Sequence, residues 1–142
     1  MAKFASPTDR PNSNDPVRSN WPTGSPIAAL KSRPRGFEFR AEIDTSELNE
    51  KGFPGTAWAC KSIMLSKSML AFMSRRMIHV GKQVVIAIHR IDDEPVSLMG
   101  RVIECEYHAD GQHVVLMELV PISEPEVLNQ WTRERARNRP EA

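Results

Sequence analysis

The chain has 142 residues and a mass of 16.0 kDa, room for one domain of ordinary size, and its 40% hydrophobic and 26% charged residues with a net charge of +1 are the composition of a globular protein. Its longest apolar runs, Met69 to Met73 and Val84 to Ile88, are five residues each against the roughly 20 that span a bilayer, which excludes a transmembrane helix. No apolar stretch follows Lys3 at the amino end, so no secretory signal is expected; Cys60 and Cys105 make neither a disulfide framework nor a metal knuckle, and the cytoplasm is the expected location.

Charge divides the chain. Residues 1–40 hold seven Lys/Arg against three Asp/Glu, residues 41–120 eight against eleven, and residues 121–142 four of each. Six of the 11 prolines precede residue 35, among Ser, Asn, Thr and Asp, and residues 1–32 read as a largely disordered leader. The leader is either a solvated tail or a partner-docking segment centred on Trp21, and the residues leave both open.

From residue 37 the periodicity is two. Phe37, Phe39, Ala41 and Ile43 alternate with Glu38, Arg40, Glu42 and Asp44, a first half-buried strand. A turn cluster containing Asn49, Gly52, Pro54 and Gly55 leads to a second strand over 56–65, Ser66-Lys67-Ser68 interrupts, and 69–74 reads as a third. After Val80-Gly81-Lys82, residues 83–89 send Val84, Ile86 and Ile88 one way and Val85, Ala87 and His89 the other. Asp92-Asp93-Glu94-Pro95 closes that strand, 96–107 is the fifth, and Asp110-Gly111 is a two-residue hairpin signal leading to a sixth over 113–120. Ser123-Glu-Pro-Glu126 starts a helix with the apolar stripe Val127, Leu128 and Trp131, ending near Arg139. Six antiparallel strands with no long helix between them bury their edges by closing. The expected fold is all-β: a small six-stranded antiparallel barrel, a meander over residues 33–122, with a C-terminal helix over 123–139 and the disordered leader in front.

Leu65-Ser66-Lys67-Ser68-Met69-Leu70-Ala71-Phe72, Val80-Gly81-Lys82-Gln83-Val84, Gly100-Arg101-Val102-Ile103, and Gly111 before Val114-Val115-Leu116-Met117-Glu118-Leu119 together resemble a PilZ domain, the bacterial module best known as a receptor for cyclic di-GMP. The resemblance covers about residues 33–120 and implies a six-stranded barrel followed by a helix, in agreement with the strand periodicity. It implies a ligand site on two motifs. The first is a pair of arginines four apart before the first strand; Arg33, Arg35 and Arg40 stand in that stretch, two and five apart. The second is Asp or Asn, any residue, Ser, two more, then Gly; the matching positions are Met64, Ser66 and Met69, so only the serine is retained. A thioether is a poor acceptor for the guanine N1–H and amine, and losing such a bond at a buried site costs roughly 1–3 kcal/mol. Met69 puts a side chain where the family has none.

Met64, Met69, Met73, Met77, Met99 and Met117 are either gap-filling core or, around Met64 and Met69, a surface for an apolar partner. Only Cys105-x-x-His108 has zinc-ligand spacing, with no second pair, and no metal or cofactor is expected. Arg75-Arg76 reads as a solvated edge or a phosphate contact, and the four acidic residues that share segment 121–142 with Arg133, Arg135, Arg137 and Arg139 argue against DNA or RNA as a partner. No nucleophile elbow, phosphate loop or zinc-protease motif is present, and no enzyme is expected. Two functions follow: a PilZ-like receptor in which Arg33, Arg35 and Arg40 clamp cyclic di-GMP near Ser66, or a nucleotide-independent adaptor making protein contacts through the Met64/Met69 face, the Trp21 leader or the Trp131 helix.

Overall fold

A computed structural model of the protein describes residues 25–90, 94–122 and 125–138, with side chains to residue 135. Trp21 and the rest of 1–24, Asp92, Asp93, the Ser123 cap and Arg139 lie outside the described residues, as does the side chain of Arg137. A 3-10 turn, Pro26–Ala29, precedes seven strands: β1 Phe37–Glu38, β2 Glu42–Glu47, β3 Trp58–Leu65, β4 Met69–Ser74, β5 Gln83–Ile88, β6 Val96–Ala109 and β7 Gln112–Val120. One helix, α1 Pro125–Asn138, follows. No helix among the described residues is long and apolar enough to cross a membrane.

The pairings β2–β5–β6–β7–β4–β3–β2 run through every neighbour, all antiparallel, and return to the start, so six strands close a barrel. The expected single meander is corrected. β2–β3–β4 and β5–β6–β7 are two meanders joined edge to edge, and residues 75–82 cross between them. The first predicted strand is also two pieces. β1 pairs with β3 at Phe37↔Leu65 and β2 pairs at Glu42↔Lys61, and the chain bulges between them around Ser62, whose hydroxyl donates to the Phe39 carbonyl (2.7 Å) and accepts from the Ala41 N–H (2.9 Å). Phe37, expected inside, is 60% exposed, whereas Phe39, Ala41 and Ile43 pack on the barrel core as expected. Asp110 and Gly111 turn the β6–β7 hairpin with φ of 56° and 76°, the pair of positive values that a tight two-residue loop requires.

Alternation sorts the side chains into one interior and two outer patches. Ile43, Leu70, Phe72, Val84, Ile86, Val102, Val115 and Met117 fill the barrel. On the outer wall Val85, Ala87 and Met99 pack with Leu128 and Trp131, so α1 lies against β5 and β6. The second outer patch is Ile63 and Met64 of β3, Ala71 of β4, and Val114 and Leu116 of β7, and it is covered by Ile27 and Leu30. Among the described residues the packing already includes the 3-10 turn, whose Ile27 and Leu30 are buried.

Candidate functional site

The positions that the two motifs single out meet where the chain enters the barrel. Arg33 has φ of +51°, unusual for a side chain other than glycine, and is followed by buried Pro34. Gly36 then crosses β3 so closely that a Cβ there would stand 2.8 Å from the Leu65 carbonyl and 2.8 Å from Met64 Cγ. Glycine is required here by space. The crossing sets Gly36 and Phe37 against Leu65, while Arg33, Arg35 and Arg40 are all exposed. Arg40 follows the bulge, its Nε 2.5 Å from Glu38 Oε2, and stands beside Ser62. Ser62 and Leu65 are three steps apart along the strand, about 10 Å at the usual rise. The one extra residue between Arg35 and Arg40 is thus absorbed in the bulge.

Ser66 is half-buried and its hydroxyl is used within the turn, accepting from the N–H groups of Met69 (3.0 Å) and Ser68 (3.3 Å), while its own N–H donates to the Met69 carbonyl (2.9 Å). Met69 is half-buried. Met64 is 0% exposed, under Gly36 and in the patch with Ile27 and Leu30, which are 3% and 2% exposed. The expectation of a partner surface centred on Met64 is corrected: the side chain is sealed by the protein's own amino-terminal segment. Of the other methionines, Met99 and Met117 are buried, Met69 and Met73 half-buried, and Met77 exposed.

Residues 25–32 form a strap over that patch, and Glu104 fastens its far end. The carboxylate accepts from the Lys31 N–H (2.5 Å), the Ser32 N–H (3.1 Å) and the Ser32 hydroxyl (2.6 Å). Partial burial pushes the Glu104 pKa up, but the hydrogen bonds from Ser32 and Lys31 to the charged form outweigh it, and the net direction is down. Lys31 Nζ adds a long contact to Glu106, 4.0 Å. Sequence reasoning missed Ile27, Leu30 and Glu104. A Pro at the start of a turn followed by two aliphatics three apart is a helical signal inside a polar stretch, and it marked Ile27 and Leu30; nothing in the sequence marks Glu104.

Beside the strap an open groove of about 710 Å³ runs over the outer ends of β2, β3 and β4, and Pro26, Arg40, Glu42, Lys61, Met73, Arg75 are among its lining residues. Arg75 therefore belongs to the groove, whereas Arg76 lies 4.1 Å over the Trp58 ring and is a packing residue. The thiols of Cys60 and Cys105 are both pushed up, chiefly by burial, the direction opposite to an activated nucleophile. Among the described residues no three His, Cys, Asp or Glu side chains are grouped to hold a metal ion. His113, near the hairpin, packs edge-on against Tyr107 at 5.6 Å.

No family model matches the chain, and a comparison with curated proteins finds no match either.

Proposed function

We infer that the protein is a PilZ-like bacterial signalling adaptor of the cytoplasm, non-enzymatic, acting through contacts with a protein partner and without cyclic di-GMP. One observation carries this reading. The position from which the PilZ motif would present an acceptor to guanine is Met64, and its side chain is 0% exposed, closed over by Gly36 and in one apolar cluster with Ile27 and Leu30. Bringing a base there requires opening that packing and still leaves the guanine donors facing a thioether. The arginines support the same reading, since Arg40 is held apart from Ser66 by the bulge and paired with Glu38.

A second reading rests on the groove: Arg40, Lys61 and Arg75 line one concavity, an arrangement suited to a phosphate-bearing ligand such as cyclic di-GMP. Calorimetric titration of the full chain with cyclic di-GMP, at two salt concentrations and with Arg40→Ala as control, separates them. The adaptor reading predicts no binding heat at high protein concentration. Micromolar binding that is lost in Arg40→Ala would overturn it in favour of a receptor with a displaced site.

A further inference from the structure

We propose that the barrel wall under the strap is the docking site for a partner protein's short helical turn bearing two large aliphatic side chains three residues apart, and that the strap is its built-in competitor; the proposal rests on the adaptor reading above. The wall is complete without its cover. Ile63, Met64, Ala71, Val114 and Leu116 belong to strands whose ladder bonds run to other strands and whose inward side chains form a separate cluster. Take the strap away and a contiguous apolar patch is left on a closed barrel, the kind of surface that marks an interaction site.

The chemistry of the occupant is read from what now fills the site. Ile27 and Leu30, one turn apart, supply the apolar contacts. Glu104 then accepts two main-chain N–H groups just after the turn, donors that any sequence but proline presents, and the Ser32 hydroxyl, so recognition reduces to the two aliphatics, the path of the backbone and a hydroxyl two residues after the second aliphatic. Glu106, 4.0 Å from Lys31 Nζ, adds a preference for a basic residue directly after the second aliphatic. The same two carboxylates disfavour a phosphate at this face, which selects a peptide over a nucleotide. Release has a hinge in residues 33–36: Arg33 at φ of +51° holds a backbone strain that release relieves.

The test uses fluorescence anisotropy with a labelled peptide of residues 25–32, Ser-Pro-Ile-Ala-Ala-Leu-Lys-Ser, added to three full-length proteins: wild type, Ile27→Ser/Leu30→Ser, and Glu104→Gln. A tethered competitor acts at an effective concentration in the millimolar range, so the peptide is expected to bind the Ile27→Ser/Leu30→Ser protein at least about tenfold more tightly than wild type. A peptide carrying Leu30→Ser should not bind. Cooperative thermal unfolding of each variant shows that the barrel is intact. Glu104→Gln keeps every apolar contact of the strap while weakening its latch and that of the peptide together, so little change from wild type is expected there; a tenfold gain would overturn the role given to the carboxylate. No peptide binding to the folded Ile27→Ser/Leu30→Ser protein, or equal binding to it and to wild type, would overturn the docking site. A wild-type dimer that dissociates on Ile27→Ser/Leu30→Ser would assign the wall to a second copy and overturn the partner. Cyclic di-GMP binding in the titration would defeat the nucleotide-free reading and leave the peptide result standing.

Discussion

Gly36 and Met64 show how two positions close a face. A methionine is unbranched and fills irregular space, and here it fills the space directly beneath a backbone that approaches to less than the distance any Cβ tolerates. Gly36→Ala is therefore expected to destabilise the protein by about 1–3 kcal/mol through overpacking. Part of that cost falls on the Met64 side chain and part on the Leu65 carbonyl. In a Met64→Ala background only the second part remains, so chemical denaturation of the two single variants and the double variant should give a sum of single costs larger than the double. Strict additivity would mean that the close approach is not what the structure shows. At Glu104 the argument is electrostatic. Its folded pKa lies below the usual 4.5, so the stabilisation from the Lys31 and Ser32 hydrogen bonds is fully present above the usual glutamate range and is lost as pH falls through the lowered folded value.

Among the elements, β5 was the easiest to read and β1 the hardest. Val84, Ile86 and Ile88 line the barrel and Val85 and Ala87 face α1, as their alternation predicts, because a central strand has nothing to override its period. The stretch 37–44 shows the same alternation, and Phe39, Ala41 and Ile43 keep it, but Ser62, on another strand, bonds Phe39 and Ala41 and sets β1 apart from β2. A local pattern contains no information about a hydroxyl 21 residues away. The strap was hidden for a related reason: prolines and polar residues dilute Ile27 and Leu30, and only the outer wall, where the turn meets β6 and β7, gives them somewhere to go. α1 is held firmly, with Leu128 1% exposed over Val85, Ala87 and Met99. Leu128→Ala should cost about 2–4 kcal/mol in denaturant unfolding while leaving peptide binding at the strap wall unchanged. A loss below about 0.5 kcal/mol would show that the helix is not packed there.

At the scale of the molecule, the closed barrel and its terminal helix were legible because closure is the general answer to six short antiparallel strands. The order of the strands was not, since β2–β5 and β4–β7 join residues distant in sequence and hydropathy does not encode which edge meets which. Of the site, Arg33, Arg35, Arg40, Ser66, Met64 and Met69 were found as positions, and the structure supplies what spacing alone lacks: Ser66 is used by its own turn, Arg40 is carried off by a bulge, and Met64 is sealed. The central claim is that residues 25–32 cover an apolar face of the barrel wall that includes Met64. Amide hydrogen exchange of the full chain tests it most directly, read at Lys31 and Ser32 in wild type and in Glu104→Gln, above and below the usual glutamate range of pH. The account predicts slowed exchange at both amides in wild type, faster than in the barrel strands, with the protection diminished in Glu104→Gln and on acidification. Exchange at both amides in wild type at the rate of an open chain would contradict it.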